Sequence, residues 1–447
     1  MAQQIKRVGQ VVAALMLVSG LGSALAQATC EEDLPFTFWG SPQEKRAVDD
    51  MITSFNESHP GITVRGQHIP TDYAVKINTM IAGGTPPAAG YLGVDMVLPW
   101  AEEGILLDMT DYFAQDPSAA NRFEGTTFEI GGKNYGGWTV AETMIMYYNQ
   151  DAFDAAGLEV PPATADTAWT WDEFVEVAKK LTKDRNGNDA TSPDFDPNSV
   201  QTYGVSFPRW WAVYLPLIAS NGGAFANEDG TQLLLNQPEA VEVLQQMQDL
   251  IYVHHVAPTP TQAEALPAAA EVMMQTGKVA MTFEGHWKVL DYSQLPSLNW
   301  GMGVLPYFDT PTTLLVSGGS VGFAAAPCHD AIWEFYKYHN DPANVDLFKK
   351  GLWMPLQLEY YTDPAKQAEW LEGEEGVYPP EAKTVLGDYV LNNATVRPPD
   401  TYLKNATQLF SDVVDPTFDK LWNNKGTAQE VMDEVVSKAS AVMEGTW

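Results

Sequence analysis

The sequence predicts an α/β fold in which mainly parallel sheets are flanked by helices. Segments with the composition of strands alternate along the chain with segments of helical periodicity, which is the order that parallel sheets require. Hydrophobic residues make up 45% of the chain and charged residues 19%, as in a folded globular protein. A chain of 447 residues has room for roughly two to four domains.

The first strand, helix and strand follow directly from local signals. Residues 36–40 are rich in aromatic residues, as strands are, and Ser41 with Glu44 forms a capping box that begins a helix. Residues 59–61 end this helix, and residues 62–65 resume as a strand. The apolar residues between recur at helical spacing: Val48, Met51, Ile52 and Phe55.

Three later helices are predicted in the same way. Thr170 with Glu173 and Thr427 with Glu430 form further capping boxes, and Pro238 stands at the first position of another helix. Each start is followed by apolar residues every three to four positions, which indicates one buried face per helix.

Residues 1–26 have the pattern of a secretory signal peptide. Lys6 and Arg7 precede an apolar run at residues 11–18, and residues 24–26 form an A-x-A cleavage site. The apolar run is shorter than the ~20 residues that span a bilayer, which argues against a membrane anchor. We therefore expect an exported protein, either periplasmic or associated with the cell surface.

The charge of the chain limits its partners. With 58 Asp and Glu against 25 Lys and Arg the formal charge is −33, and loss of Lys6 and Arg7 with the signal peptide makes it −35. Such a protein is a poor match for nucleic acid or anionic lipid, so we expect neither as a partner. A neutral or cationic ligand suits this charge better than an anionic one.

The chain contains two cysteines, Cys30 and Cys328. In an oxidising compartment such a pair is most simply a disulfide, which closes a long loop; lipid attachment at Cys30 is the alternative. No C-x-x-C or Cys/His cluster indicates zinc or redox chemistry, and no cofactor or metal is expected.

One loop has an incomplete calcium-binding pattern. Asp184, Asn186 and Asn188 place oxygen side chains at alternate positions, but Asp189 and Phe195 stand where an EF-hand needs Gly and Glu. A polar surface turn is the better interpretation, with calcium left open.

No motif in the sequence makes a strong case for catalysis. Residues 318–322 match the G-x-S-x-G pattern of a hydrolase, but the run that follows is strand-like and ends at Pro327 instead of forming a helix. Acid pairs such as Glu102 and Glu103 carry little information in so acidic a chain, so a secreted glycosidase is only a distant alternative. We expect a protein that is not an enzyme.

Tryptophans stand beside turn residues near the ends of predicted strands: Trp39, Trp138, Trp210, Trp211, Trp287 and Trp353. Ligands of open α/β sheets bind beyond the carboxyl ends of the strands, where these indoles are expected. An indole face covers the C–H face of a sugar ring, and amides and carboxylates pair with the hydroxyls.

Segments along nearly the whole chain after residue 26 carry a family resemblance. They begin with Phe36-Thr37-Phe38-Trp39-Gly40 and continue at residues 55–64, 81–87, 103–110, 147–158, 170–174, 221–225, 236–240, 277–287 and 301–306. In this order they resemble the extracellular solute-binding proteins of ATP-binding-cassette importers, in the carbohydrate-binding group (solute-binding family 1) that includes the maltose-binding protein.

The resemblance implies a type II periplasmic-binding-protein fold, with two lobes and a ligand trapped between them. Crossings are expected near residues 139–144, 281–285 and 339. Lobe one would comprise residues 27–140 and 285–339, and lobe two residues 141–284 and 340–447. The protein would be a monomer that binds a mono- or oligosaccharide and delivers it to a membrane permease; a polyol, a polyamine or glycerol phosphate is the alternative ligand.

The resemblance also implies a set of ligand-binding residues. Tryptophans would stack on the ligand, Asp95 would bind two hydroxyls, and glycines would allow close backbone approach. Asp95 is assigned this role because residues 87–90 lack the Asp that many members carry there. Arg397 either contacts the ligand or pairs with an acid. The full set is Trp39, Ser41, Thr85, Asp95, Trp210, Trp211, Gly285, Trp287, Ser317, Gly318, Gly319, Trp353 and Arg397.

Overall fold

A computed structural model describes residues 28–116 and 121–447; the predicted signal peptide, residues 1–26, lies outside the described residues. The strands in the described part of the chain are β1 (Asp33–Phe38), β2 (Thr63–His68), β3 (Ala89–Leu92), β4 (Thr127–Ile130), β5 (Lys133–Trp138), β6 (Glu142–Asn149), β7 (Lys183–Asp184), β8 (Val200–Ser206), β9 (Val279–Gly285), β10 (Trp300–Gly303), β11 (Thr313–Val316), β12 (Gly319–Gly322) and β13 (Ala394–Val396).

The α-helices lie between and after these strands. They are α1 (Pro42–Ser58), α2 (Tyr73–Ala82), α3 (Val94–Glu102), α4 (Thr110–Ala114), α5 (Gln150–Ala156), α6 (Trp171–Leu181), α7 (Trp211–Ser220), α8 (Pro238–Tyr252), α9 (Pro260–Ala263), α10 (Ala270–Gln275), α11 (Val289–Ser293), α12 (His329–Asn340), α13 (Glu359–Thr362), α14 (Pro364–Leu371), α15 (Val390–Asn393), α16 (Ala406–Leu409), α17 (Asp415–Trp422) and α18 (Ala428–Ala439). Among the described helices, none combines the length and the apolar composition needed to cross a membrane.

The capping boxes predicted for α1, α6 and α18 are all formed. The side chains of Ser41, Thr170 and Thr427 each accept a hydrogen bond from the backbone N–H three residues on, and the Glu at that position bonds back. Helix α8 begins differently, because Gln237 makes no side-chain cap and Pro238 alone marks the start. These helices begin where local chemistry predicts.

The described strands form two sheets. The first has the order β2-β1-β3-β12-β5-β4, and the second has the order β13-β11-β6-β9-β8-β7, with β10 paired to β6. Strands β1, β2 and β3 are mutually parallel, as the strand–helix–strand pattern predicts. The fold is therefore α/β with two sheets, as expected.

The sheets are mixed and not mainly parallel, because the chain passes between them in both directions. Strand β5 of the first sheet leads into β6 of the second, and β11 of the second leads back into β12 of the first. Neighbouring strands that cross in opposite directions must pair antiparallel. Gly319 accordingly pairs with Trp138, and Val316 with Glu142.

The residue bounds of the two lobes remain a prediction. The strand pairing, however, shows where the chain passes from one sheet to the other. The predicted segment 285–339 contains β10 and β11, which pair with β6 in the second sheet, as well as β12, which belongs to the first. The passage from β11 to β12, at residues 316–319, is thus a crossing between sheets.

Two hydrophobic cores lie on these sheets. One contains Phe38 and Phe55 of the first sheet and its helices, and the other contains Phe174 and Phe283. Strand β6 contributes to both, because Ile145 and Tyr147 face the first core while Met144, Met146 and Tyr148 face the second. The strand that starts at the crossing therefore joins the two cores.

Cys30 and Cys328 form a disulfide, with 5.7 Å between their Cα atoms and a sequence separation of 298. The bond ties the start of the described chain to the first residue before α12. In this arrangement neither thiol is free for lipid attachment.

Replacing both cysteines by serine should lower the free energy of unfolding by about 4 kcal/mol. The disulfide closes a long loop and so reduces the conformational entropy of the unfolded chain, and this effect is lost in the variant. Urea unfolding of Cys30→Ser/Cys328→Ser beside the oxidised wild type measures this. A midpoint that does not change would show that the disulfide does not stabilise the fold.

Candidate functional site

A cavity of about 340 Å³ lies between the two sheets, at the place where the chain crosses from one to the other. Its lining comes from both sheets and from the crossing segments. The residues are Trp39, Glu44, Tyr91, Val94, Trp138, Thr139, Val140, Glu142, Trp210, Trp211, Trp287, Val316, Ser317, Gly318, Leu352, Trp353, Pro398, Asp400 and Thr401. A cavity of this size, mostly apolar with a few polar groups, is typical of a small-molecule site.

The structure brings part of the predicted set together in this cavity. These residues are Trp39, Trp210, Trp211, Trp287, Ser317, Gly318 and Trp353. They come from separate places in the sequence, so the fold is what assembles them.

Aromatic contacts hold the indole rings in place. Trp39 meets the ring edges of Tyr73 and Tyr91, with centroids 5.0 and 5.1 Å away. Across the cavity Trp210 lies 5.1 Å from Trp211 and 6.1 Å from Trp287, and it is 36% exposed. Edge-on contacts of this kind fix ring orientation, which leaves indole faces available to a ligand.

Two of the predicted glycines are needed by the tryptophans themselves. A Cβ at Gly285 would lie 2.0 Å from the ring of Trp287, and a Cβ at Gly318 would lie 2.7 Å from the ring of Trp39. At these two positions the lack of a side chain therefore lets an indole ring, and not a ligand, pack close to the backbone.

The floor of the cavity is the crossing itself. The hydroxyl of Ser317 accepts a hydrogen bond from the N–H of Val140 at 3.2 Å and donates to the carbonyl of Gly318 at 2.8 Å. Ser320, the serine of the G-x-S-x-G match, lies within strand β12, is 4% exposed and bonds to Thr139. A nucleophile elbow needs an exposed serine between a strand and a helix, and this geometry is different.

Glu142 occupies the first position of β6, directly after the crossing. One carboxyl oxygen lies 2.8 Å from Nδ1 of His286, and backbone groups of Met354 and Trp287 also bond to the carboxyl. Burial raises the pKa of Glu142 well above its ordinary value, and the nearby charge of Glu44 adds to this. Burial lowers the pKa of His286 to about 3, so its imidazole is neutral at neutral pH.

His286 extends this contact away from the cavity. Its Nε2 lies 3.3 Å from the hydroxyl of Tyr378, which donates to the carbonyl of Phe348 at 2.9 Å and accepts from the indole N–H of Trp370. A buried chain of hydrogen bonds therefore leads from the cavity floor to α14, and such networks hold their members in one arrangement.

Two more carboxyl groups line the cavity. Oδ1 of Asp400 is buried and has no hydrogen-bond partner. Burial raises the pKa of Asp400 to about 7, and the charge of Asp95 contributes. Glu44 serves the capping box of α1 and also lines the cavity; burial raises its pKa although the N–H of Ser41 bonds to it.

The remaining predicted residues lie outside this cavity. Ser41 caps α1, Gly319 begins β12, and Thr85 is exposed, with its hydroxyl 3.4 Å from the carbonyl of Met80. Asp95, on α3, accepts a hydrogen bond from the hydroxyl of Thr407 on α16. The guanidinium of Arg397 stacks 4.7 Å above the ring of Tyr402.

Arg397 lines a second cavity, of about 800 Å³, which adjoins the first. The two share Trp138, Pro398 and Thr401. The second cavity also contains hydroxyl and charged groups, including Glu124 and Thr126.

Some lining residues escaped the sequence prediction. Glu142 has a signal of its own, since it is the acid within the otherwise uncharged run of residues 139–149. The pattern around Glu44 predicts a helix cap and does not reveal its second role in the cavity lining. Asp400 and Tyr91 lie in segments with no distinctive motif.

The Asp184 loop is stabilised by its own amides. Asp184 accepts hydrogen bonds from the backbone N–H groups of Asn186, Asn188 and Asp196 and from the side chain of Asn188. No group of three or more metal-ligating side chains that could hold an ion occurs in residues 28–116 and 121–447.

Comparisons with known proteins give consistent results. Residues 39–346 match the family described as bacterial extracellular solute-binding protein. The sn-glycerol-3-phosphate-binding periplasmic protein UgpB of Brucella melitensis is 26% identical over 466 residues, covering 96% of this chain and 98% of that protein. The arabinooligosaccharide-binding protein of Halalkalibacterium halodurans is 29% identical over 252 residues, covering 54% of this chain and 49% of that protein.

Solved structures share the fold. An ABC substrate-binding protein from Listeria monocytogenes in complex with cycloalternan has a TM-score of 0.77 at 24% identity, covering 92% of this chain and 98% of that one. The maltose/maltodextrin-binding domain MalE from Bdellovibrio bacteriovorus bound to maltotriose has a TM-score of 0.70 at 18% identity, covering 92% and 99%. These likenesses confirm the predicted fold class.

Substituting Gly318 by alanine should displace Trp39, because the new Cβ would lie 2.7 Å from its ring. We expect a change in the near-ultraviolet circular dichroism of the aromatic residues and a loss of roughly 1–3 kcal/mol in the free energy of unfolding, as for other overpacked sites. Gly319→Ala is the matched control, because its Cβ would instead meet Val97 and Phe128. Identical spectra for the two variants would contradict the account.

Substituting Asp400 by asparagine should stabilise the ligand-free protein at pH 8 and have little effect near pH 4. The folded protein holds the Asp400 proton up to a pKa of about 7, above the ordinary value of 3.8, so stability falls as pH rises between these values. The amide of the variant has no proton to lose in this range, so its stability would not fall in this way.

Thermal unfolding of both proteins from pH 4 to pH 8 measures this, with the exposed Asp388→Asn as control. A melting temperature of Asp400→Asn that stays at the wild-type value throughout this range would contradict the expectation.

Proposed function

Because the chain belongs to the family of bacterial extracellular solute-binding proteins, we propose that it captures a sugar in the cavity between its sheets and delivers it to an ATP-binding-cassette permease. The observation that carries this proposal is the cavity lining. Six tryptophans, three carboxyl groups and two hydroxyl-bearing threonines surround one space. Indole faces suit the C–H faces of a sugar, and carboxyl and hydroxyl groups suit its hydroxyls.

Family membership also gives the class of activity. The chain is a binding protein and not an enzyme, as the sequence led us to expect. It is a member of an extracellular family, so it is an exported protein. We further propose that it acts as a monomer and that it is located in the periplasm or at the cell surface.

Relatives bind ligands of two chemical kinds. The names of the Halalkalibacterium protein and of the Listeria and Bdellovibrio structures refer to oligosaccharides, and UgpB is named for glycerol 3-phosphate. A phosphate ester needs cationic groups or free backbone N–H groups around it. The cavity of about 340 Å³ has no Lys, Arg or His among its described lining residues, which favours a sugar over a phosphate.

Binding would close the two lobes on the ligand. Trp39 and Tyr91 stand on the side of the first sheet, and Trp210 and Trp211 on the side of the second. A ligand that contacts both sides only when they are close stabilises the closed form and shifts the population toward it. We propose that the permease recognises this closed form. We also propose that the crossings at residues 138–142 and 316–319 are parts of the hinge between the lobes.

A thermal-shift screen of the protein without its signal peptide tests the proposal. The panel contains mono- and oligosaccharides, polyols, glycerol 3-phosphate and polyamines. A ligand present at 100 times its Kd should raise the free energy of unfolding by about 2.7 kcal/mol. We expect a sugar to raise the melting temperature and to be recovered unchanged. A shift with glycerol 3-phosphate and none with any sugar would contradict the proposal.

The variant Trp210→Ala locates the site. Trp210 is 36% exposed at the cavity rim, so its truncation should leave the fold intact while removing a stacking surface. We expect the affinity for the active sugar to fall about tenfold or more, corresponding to ~1.4 kcal/mol. Val253→Ala, 60% exposed and outside both cavities, should bind as the wild type does.

A further inference from the structure

The charges around the first cavity are all of one sign. Glu44 on α1, Glu142 at the start of β6 and Asp400 beyond β13 line it from different directions. No basic side chain stands among its described lining residues. Three carboxyl groups on a largely apolar cavity are costly to ionise together unless a positive charge accompanies them.

No fixed cation of the described protein neutralises these groups. Neither Glu44 nor Asp400 takes part in an ion pair within the described residues, and the contact of Glu142 is with His286, which is neutral. Lys288 influences Glu44 electrostatically, but its amino group is bound to Glu271 at 3.1 Å and to Asp291 at 2.9 Å.

A second observation points to a missing partner. Oδ1 of Asp400 is buried without any hydrogen bond, which is unusual for a carboxyl oxygen. Burial also raises the pKa of all three carboxyl groups above their ordinary values, as expected where no cation compensates them.

An ammonium group would both balance the acidic charge of the cavity and provide a hydrogen bond to the unpartnered Oδ1 of Asp400. It donates up to three hydrogen bonds to carboxyl oxygens and supplies the positive charge that the cavity lacks. The six indole rings that line the same space attract cations through their faces. A neutral sugar can use the hydroxyl-binding capacity of the acids but supplies no positive charge that would favour their ionised form.

We propose that the preferred ligand of this cavity is an aminated sugar, in which a protonated amine lies among Glu44, Glu142 and Asp400 and the rings of the tryptophans cover the sugar. This inference rests on the proposed sugar-binding function and specifies its substrate class. The overall charge of −33 acts in the same direction, because it attracts cationic solutes at long range.

Isothermal titration calorimetry tests the charge directly. Glucosamine, N-acetylglucosamine and glucose have the same ring, but only glucosamine carries a positive charge at its second carbon. The same comparison extends to the β-1,4-linked dimers and trimers of each sugar. At pH 7 we expect the amine to bind at least tenfold more tightly than its acetylated and neutral counterparts of equal length. Raising the salt concentration should weaken only the amine.

Asp400→Asn identifies the group responsible. This variant should lose at least tenfold more affinity for the amine than for the neutral sugar of equal length. Glu44→Gln provides an independent second variant, and the exposed Asp388→Asn is the control that should change neither affinity.

The outcomes separate this inference from the function beneath it. Neutral sugars that bind as tightly as the amine, or more so, overturn the aminated ligand and leave sugar binding intact. Equal losses for amine and neutral sugar in Asp400→Asn also overturn it. Absence of binding by every sugar, with or without an amine, overturns the proposed function and this inference together.

Discussion

The carboxyl group of Glu142 lies where three segments of the chain meet at the base of the cleft. It stands at the start of β6, bonds to His286 after β9, and accepts from the backbone of Met354. Strand β6 contributes to both hydrophobic cores, so this buried group at its start is a shared point of contact between the segments that join the two sheets. Removing one partner of such a buried contact leaves the other unsatisfied, which is costly.

The crossing strands explain why the ligand cavity lies where it does. Strands β5 and β6 leave the first sheet while β11 and β12 return to it, and the two passages pair with each other at Trp138 and Glu142. This paired backbone forms the floor, with Ser317 bonded to Val140 across it. Residues from the two sheets line opposite sides of the cavity, so a ligand bound against the crossing segments contacts both sheets. Binding and the relative position of the sheets are therefore coupled through one small region.

Local chemistry determines the part of this structure that sequence can predict. Ser41, Thr170 and Thr427 begin helices because hydrogen bonds within three residues define the start, and Trp39 follows a strand that is recognisable by composition. Strand direction depends instead on distant pairing, and the antiparallel return of β12 has no local signature. Asp400 likewise reaches the cavity through contacts that no local pattern predicts, whereas Asp95 meets Thr407. The tryptophans were predictable because an indole next to a turn residue is distinctive, and the carboxyl groups were not because the chain contains 58 acids.

The central claim is that a sugar binds at the junction of the two sheets and contacts both. Hydrogen–deuterium exchange of the protein with and without a bound sugar tests it most directly. The account predicts slower exchange at residues 138–142, 316–319 and 352–354, together with peptides around Trp39 on one side and Trp211 on the other. A third cavity, of about 260 Å³, is lined by residues of the segments 206–209 and 257–268. Protection confined to one sheet, or centred on this third cavity, would contradict the account.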